Sequence, residues 1–385
     1  ATAMLLLAGL LTVYTASFAV GYLEYGDANH FIVRQSIYAI VGLAALVYFM
    51  RLDYHQLHHL AVPMMVLALL GLAAVLVPGI GIERNGARRW LELGPVTFQP
   101  SEFAKLAVII YISAWLAGRH ENINKFTLGL VPFVLMVSVV GGLVIVEPDM
   151  GTAIIIVLTT STLFFVAGTP LSHLALLMVS GGLVSYVMIL AQDYRLDRIT
   201  SFVSPEADPQ GSGFHVLQLL IALGSGGVTG LGWGVSRQKF FYVPGAHTDG
   251  VFAIIGEELG FIGLLAVLGL FTFFVYRALK ATLASQDQFG TLLGVGILSW
   301  IAYQTLINIG GITRSIPLTG VPLPFLSYGG SALVAIMAGA GILLSLSRYG
   351  HDRSYSERPK ARAMPTGRQG RRHARRGQAV GRQAA

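Results

Sequence analysis

Ten apolar runs divide the chain, at 2–21, 33–50, 60–79, 102–117, 129–146, 151–168, 171–190, 250–276, 290–310 and 331–347. A helix that crosses a bilayer needs about 20 mostly apolar residues, and in hydrocarbon each backbone N–H and C=O must find its partner within the protein. Runs of this length meet that demand only as helices. The expected fold class is therefore an all-α polytopic membrane protein of about ten transmembrane helices with long extracytoplasmic loops. With 54% hydrophobic and 12% charged residues and a mean hydropathy of +0.67, an ordinary soluble domain is excluded. The chain has no cysteine, so neither a disulfide framework nor a thiolate metal site is available.

The net charge of +7 belongs to the C-terminal end. From Arg348 onward eleven Lys and Arg face two acids, which leaves −2 on the preceding 347 residues. No basic domain remains for nucleic acid, and the expected non-protein partners are membrane lipids. Residues 348–385, polar and rich in Arg, Gly and Gln, read as a disordered basic tail whose charge suits anionic headgroups. Positive residues near span ends stay cytoplasmic. An even number of spans then puts both termini of the membrane domain, 1–347, in the cytoplasm, together with the short loops 51–59, 118–126 and 277–289. The long connections 80–101, 191–249 and 311–330 fall on the outer face. The first run opens at the chain start without a basic n-region or cleavage site, the pattern of a chain trimmed just before its first span rather than of a signal peptide.

Polar residues concentrate in those three long connections. The stretch 236–260, SRQKFFYVPGAHTDGVFAIIGEELG, carries His247, Thr248 and Asp249 where a polar loop enters an apolar run, with Glu257 and Glu258 farther in. Carboxylates this close to hydrocarbon are costly and commonly mark a site. A helix from 249 puts Asp249 at the favourable end of its dipole and Glu257 about 12 Å deeper, with the two glutamates on different sides, so no single three-acid cluster is expected. The bland alternative is a capped loop and two glutamates paired inside the bundle. In GARRWLELGPVTFQPSEFAK, residues 86–105, Glu102 and Lys105 share a face of a helix that starts near Pro100. They form either a local ion pair or, with Arg89, a phosphate-binding group in which Glu102 orients the cations or holds a metal ion. Around Pro148, Glu147 and Asp149 read first as a turn with Asp149 capping the next span, and otherwise as part of a cation site. Residues 214–223 read as an interfacial amphipathic helix, and loop 191–249 is long enough to imply a folded element. The prolines and glycines of GGITRSIPLTGVPLPFLSYGGSA, near bilayer depth, require burial in protein or a cavity to line. Its one cation is Arg314, and Ser327 is its candidate polar contact. No HExxH, GxSxG or P-loop pattern occurs, so zinc proteases, serine hydrolases and P-loop enzymes have no support.

Taken together, SGGVTGLGWGVSRQKFFYVPGAHTDGVFAIIGEELG, GARRWLELGPVTFQPSEFAK, EPDMGTA and ITRSIPLTGVPLPFLSYGGS resemble the SEDS family (shape, elongation, division and sporulation) of RodA/FtsW/SpoVE-like peptidoglycan polymerases, in order and from the first span to about residue 347. The resemblance implies ten spans in the bacterial cytoplasmic membrane and an inverting peptidoglycan glycosyltransferase that polymerises lipid II for elongation or division. It also implies a class B penicillin-binding protein as partner. Asp249 matches the family's essential acid, Glu102 and Lys105 the polar pair that opens the fourth span, and Arg89 the basic loop before it. Three positions depart from the pattern: Gly245 where Glu is frequent, Gly250 where Phe is common, and Ala332 in place of Ser.

The reaction has a sugar hydroxyl attack an anomeric carbon while undecaprenyl diphosphate leaves. It needs a base and positive charge on the leaving group. The expected catalytic residues are Asp249, Glu102 and Lys105, and the expected substrate-binding residues are Arg89, Lys239, His247, Thr248, Arg314 and Ser327. Asp249 and Glu102 are also candidate ligands for a divalent cation, Mg or Mn, the one cofactor considered. Two rival readings are a lipid flippase or transporter, which Glu257 and Glu258 would suit, and a non-catalytic scaffold for the partner synthase.

Overall fold

In the computed structural model, which describes residues 1–84, 86–94, 96–119 and 122–356, all ten apolar runs are helices. The first seven are α1 (Thr2–Tyr25), α2 (His30–Arg51), α3 (His55–Leu76), α4 (Pro100–Ala117), α5 (Val131–Val146, entered through a π turn at Phe126–Leu130), α6 (Met150–Val166) and α7 (Leu171–Leu190). Two shorter helices, α8 (Asp193–Val203) and α9 (Phe214–Ser225), fold the longest connection. The spans resume with α10 (Val251–Leu283), α11 (Gln288–Ile312) and α12 (Gly330–Ser356). Among the described residues nine helices are long and apolar enough to cross a membrane; α6, at 17 residues, is the short tenth. The protein is an all-α polytopic membrane protein. Most of the basic tail, 357–385, lies outside the described residues.

Local chemistry sets the helix ends. Pro100 opens α4 from an extended Gln99, where its missing N–H costs nothing. Asp149 caps α6, accepting from Thr152 N at 3.1 Å and Thr152 Oγ1 at 2.9 Å, and Asp287 caps α11 through Gly290 N at 3.0 Å. The most buried spans are α4, α11 and α12, which meet in a core that includes Ile109, Ile110, Leu293, Ile297, Trp300 and Ile336. By contrast, α7 has no buried residue.

The long connections gather at one end of the bundle. Residues 80–101 hold a three-stranded antiparallel sheet, β1 (Gly81–Arg84), β2 (Ala87–Leu93) and β3 (Val96–Phe98), in that order. The sequence reading has a loop here. Tyr38 of α2 pins the sheet, its hydroxyl donating to Thr97 O at 3.0 Å and accepting from Thr97 N at 3.1 Å.

Two stretches of irregular backbone lie inside the bundle, and both find hydrogen-bond partners within the protein. Gly260 (φ 66, ψ −164) breaks α10. The carbonyls freed on its N-terminal side, Glu257 O and Glu258 O, accept from Leu231 N (2.9 Å) and Gly232 N (3.0 Å). On the other side Phe261 N and Ile262 N donate to Gly227 O (2.9 Å) and Val228 O (3.1 Å). A Cβ on Gly230 or Gly260 would collide with this backbone-to-backbone contact. The second stretch, between α11 and α12, dips inward. Gln304 Nε2 donates to Pro322 O at 3.0 Å and Asn308 Nδ2 to Val321 O at 2.8 Å. Gln304 lies eight residues from the end of α11, about 12 Å into the bundle. Gly9 of α1 leaves room for the Phe325 carbonyl. Hydrocarbon tolerates such backbone only where protein buries it or it lines a water-filled cavity.

Candidate active site

Asp249 ends a tight turn that delivers the chain into α10. Thr248 N and Gly250 N both donate to Gly245 O, at 2.9 and 3.1 Å. The Thr248 hydroxyl lies 3.0 Å from Asp249 Oδ1 and 3.1 Å from Gly245 O. From below, Asn308 Nδ2 holds Asp249 O at 2.9 Å. The carboxylate therefore stands at the N-terminal end of α10, where the helix dipole favours its charge. Gly245 has φ 65, and a Cβ there would run into Asp249 Oδ1 and Thr248 Oγ1. The departure from Glu at this position is thus tied to how closely the turn wraps its acid.

Arg198 and His215 face Asp249. Arg198, on α8, donates to Leu318 O (3.2 Å) and Thr319 O (2.9 Å) of the inward-dipping segment. The next residue, Gly320 (φ 74), leaves a gap: a Cβ on it would be 3.7 Å from Asp249 Oδ2 and 3.8 Å from Arg198 Nη2. His215, on α9, feels the charges of both Asp249 and Arg198, while its Nε2 is buried without a partner. Burial pushes the His215 pKa down, and so does Arg198, whereas Asp249 and the Pro244 carbonyl oppose the fall. One carboxylate and one guanidinium thus flank a space kept open by Gly320.

Several residues expected around Asp249 are engaged elsewhere. Lys105 is 2% exposed and donates to Glu102 Oε1 and Gln304 Oε1, both at 2.9 Å, with its Nζ 5.3 Å from the Trp300 ring centre. The polar pair is real, but it is a buried tie from α4 to α11. It is linked toward Asp249 through Gln304 and Asn308, one turn apart on α11. Arg89 also turns away from Asp249: its Nε donates to Glu147 O at 3.0 Å and its guanidinium also reaches Pro148 O, which locks the sheet onto the α5–α6 turn. Beside it Glu147 is fully buried, and both its carboxylate oxygens lack partners. Burial, reinforced by Asp149 and opposed by Arg89, pushes its pKa up to about 8.

Lys239 is likewise structural in position. It is fully buried, bonded to Glu258 Oε1 at 3.0 Å and Gly234 O at 2.6 Å, with its Nζ 4.8 Å from the Phe18 ring. Glu257 accepts from Ser236 Oγ (2.5 Å), Arg237 N (2.9 Å) and Gln238 N (3.3 Å). The two glutamates thus point apart and each is paired with the folded loop, as their adjacency in a helix requires. Arg314 ties its segment to α8 through Phe202 O (2.9 Å), Val203 O (3.0 Å) and Glu206 (3.3 Å). Ser327 closes a turn, its hydroxyl accepting from Leu323 N at 2.8 Å. His247 packs between Phe31 (ring centres 4.6 Å apart) and Tyr328 (5.6 Å), and burial pushes its pKa down to about 4.

Asp249 and Glu102 do not share one environment. Among the described residues no group of three or more His, Asp or Glu gathers in metal-ligand geometry. The sequence reading missed His215, which has no signal beyond its place in the amphipathic stretch. Arg198 likewise carries no signal in the sequence beyond being a basic residue of a long connection.

Comparison with known proteins agrees with this architecture. The family model of the FtsW/RodA/SpoVE cell cycle proteins matches residues 1–352. The chain is 42% identical to stage V sporulation protein E of Bacillus subtilis (strain 168) over 349 residues, 90% of this chain and 95% of that one. It is 39% identical to a probable peptidoglycan glycosyltransferase FtsW of Trichlorobacter lovleyi, covering 88% of this chain and 89% of the relative. Among solved structures, a chain of a peptidoglycan synthase complex that coordinates polymerization and crosslinking superposes with a TM-score of 0.72 at 32% identity, covering 88% of this chain and 97% of that one. The rod shape determining protein RodA of Thermus thermophilus gives 0.63 at 30% identity, covering 88% and 94%. The ten-helix bundle, the ordered motifs along its whole length and these matches together make the chain a member of the FtsW/RodA/SpoVE family, the SEDS family of the resemblance.

Proposed function

We infer that this protein is a peptidoglycan glycosyltransferase that polymerises lipid II into glycan strands at the outer face of the bacterial cytoplasmic membrane. The observation that carries the reading is Asp249: a single carboxylate at a helix N-terminus, set across a glycine gap from Arg198, in a family whose relatives bear that activity in their names. Asp249 serves as the base that takes the proton from the attacking sugar hydroxyl, and Arg198 offers positive charge to the diphosphate that leaves. Glu102 and Lys105 act beneath the site by fixing α4 to α11. One carboxylate is fewer than a resident cation takes from protein alone. A Mg or Mn ion here would be held jointly with the diphosphate.

The basic tail favours a cytoplasmic C-terminus, and ten crossings bring the N-terminus to the same side. The end with the sheet and Asp249 then faces outward, where lipid-linked sugar is consumed. The synthase complex among the structural neighbours supports a class B penicillin-binding protein as the crosslinking partner. The transporter reading loses its main support because Glu257, Glu258 and the break in α10 are fully paired within the protein.

The test is incubation of the purified protein with lipid II. Glycan strands are expected, and they should disappear in Asp249→Asn while the variant stays folded. Transfer of lipid II across vesicles without strand formation would mean a flippase, and neither activity would mean a scaffold. Normal polymerisation by the Asn variant would remove the base.

A further inference from the structure

The turn that joins α1 to α2 is tied down along its whole length. Gly26 (φ 70) ends α1 and donates its N–H to Tyr22 O at 3.0 Å, Asp27 N donates to Gly21 O at 3.3 Å, and Asn29 N donates to Asp27 Oδ1 at 2.9 Å. A Cβ on Gly21 would run into the Asp27 carbonyl. This frame holds Tyr25 and His30 face to face, with ring centres 3.9 Å apart and planes 8° apart. His30 covers one face of the Tyr25 ring, yet Tyr25 remains 55% exposed. Phe31 supports both rings edgewise, at 5.6 and 5.3 Å. The same Phe31 packs on His247 at 4.6 Å and on Tyr328 at 5.1 Å, and Tyr328 N donates to His247 O at 2.8 Å. His247 stands two residues before Asp249. Two ring contacts therefore separate the open Tyr25 ring from the turn that carries the proposed base, a distance a short oligosaccharide spans.

An exposed tyrosine at the end of a span is often an interfacial anchor in lipid. Here its neighbours are polar: Glu24, Asp27 and Asn29 are all exposed beside it. An open aromatic face next to carboxylates is the composition that takes a sugar. The axial C–H groups of a pyranose whose substituents are equatorial pack on the ring, and its hydroxyl groups donate to the carboxylate oxygens. We propose that Tyr25, backed by His30, is a saccharide subsite that stacks a sugar of the glycan strand adjoining the units joined at Asp249. The proposal rests on the polymerase reading, because the strand is the product of that reaction. Binding here makes and breaks no covalent bond. It gives the strand a hold outside the reaction centre, so that the chain stays on the protein while the next lipid-linked sugar arrives. Phe31 couples that hold to the catalytic turn, since it touches the platform on one side and His247 on the other.

The experiment has two readouts on the full-length protein. Binding of a lipid-free tetrasaccharide of N-acetylglucosamine and N-acetylmuramic acid is followed by saturation-transfer NMR, and strand length is measured after polymerisation of lipid II in vesicles. Wild type, Tyr25→Ala, Tyr25→Phe and Asp249→Asn are compared, each checked for folding by size-exclusion chromatography. Tyr25→Ala should weaken tetrasaccharide binding about tenfold, the worth of one aromatic stacking contact, and should shorten the strands. Tyr25→Phe keeps the ring and should bind as the wild type does, and Asp249→Asn, inert in polymerisation, should still bind the tetrasaccharide. No binding by the wild type, undiminished binding by Tyr25→Ala, or an equal loss in Tyr25→Phe overturns the subsite. Shorter strands from Tyr25→Ala with tetrasaccharide binding intact make the ring a lipid anchor and overturn the subsite as well. In each of these cases the polymerase reading stands as long as the wild type makes strands. A wild type that binds the tetrasaccharide through Tyr25 but makes no strands removes the polymerase and leaves Tyr25 as a glycan-binding site.

Discussion

The buried tie between α4 and α11 allows the roles of Lys105 and Glu102 to be separated by measurement. Lys105→Met keeps most of the side-chain length and removes the charge. Glu102 would then keep a carboxylate 4% exposed, with Oε2 already unpaired and Oε1 stripped of its partner. Leaving such a charge uncompensated costs about 3–5 kcal/mol. Gln304 Oε1 still accepts from Trp300 Nε1 at 2.9 Å, so the loss there is one of two bonds, about 1 kcal/mol. Replacing both partners by apolar groups, Glu102→Leu with Lys105→Met, removes the stranded charge and should recover most of the stability. The double-mutant cycle then gives a coupling above about 3 kcal/mol, because the first change alone costs at least that and the double change recovers most of it. Stability is read by SDS-driven unfolding in mixed micelles, and polymerisation of lipid II is assayed on the folded fraction. A strut predicts that activity returns with the fold in the double variant. If the double variant is as stable as the wild type yet inert, Lys105 supplies charge to the substrate and the strut reasoning fails. If Lys105→Met alone costs under about 1 kcal/mol, the pair is not as desolvated as the structure has it.

Three other outcomes are expected. Gly245→Ala, at φ 65 and against the Asp249 carboxylate, should cost about 1–2 kcal/mol of stability and a disproportionate share of polymerisation rate, both measured on one preparation. Glu147 holds its proton to about pH 8 when folded but only to about 4.5 when unfolded, so the native state binds the extra proton between those values and stability falls as pH rises through them, by about 1.4 kcal/mol per unit. Glu147→Gln should flatten that slope in unfolding titrations and leave stability at the acid end unchanged. Gly260→Ala should unseat the 226–232 loop from α10, seen as faster proteolysis within that loop; wild-type resistance would mean that the break tolerates a side chain.

The bundle itself was legible because length and hydropathy are one-dimensional properties: all ten runs became helices, and the interfacial helix expected at 214–223 appears at 214–225. The sheet at 81–98 was not legible, since its short strands alternate weakly and gain their support from Tyr38, some sixty residues away in sequence. Residue type misled for the cations. Arg89, Lys239 and Arg314 were read as free for an anion because each lies in an outward polar stretch. The contacts that employ them are carbonyls and two glutamates brought close only by folding. Glu257 and Glu258 point apart, as their adjacency in the sequence implies, and the bland reading that pairs them inside the bundle matches their bonds to the 234–239 loop.

What organises the site is backbone rather than charge. The break at Gly260 lets the 226–232 loop dock on α10, and the same connection continues through Lys239 to Gly245 and Asp249. The inward-dipping segment is held by Gln304 and Asn308, and Asn308 also grips the Asp249 carbonyl. Lys105 enters this network through Gln304, and Arg198 through the carbonyls of 318 and 319. Lys105 and Arg198 therefore bear on Asp249 through carbonyls and amides. That arrangement suits a base: Thr248 holds one carboxylate oxygen, and the other faces the gap at Gly320, the side from which a sugar hydroxyl would come.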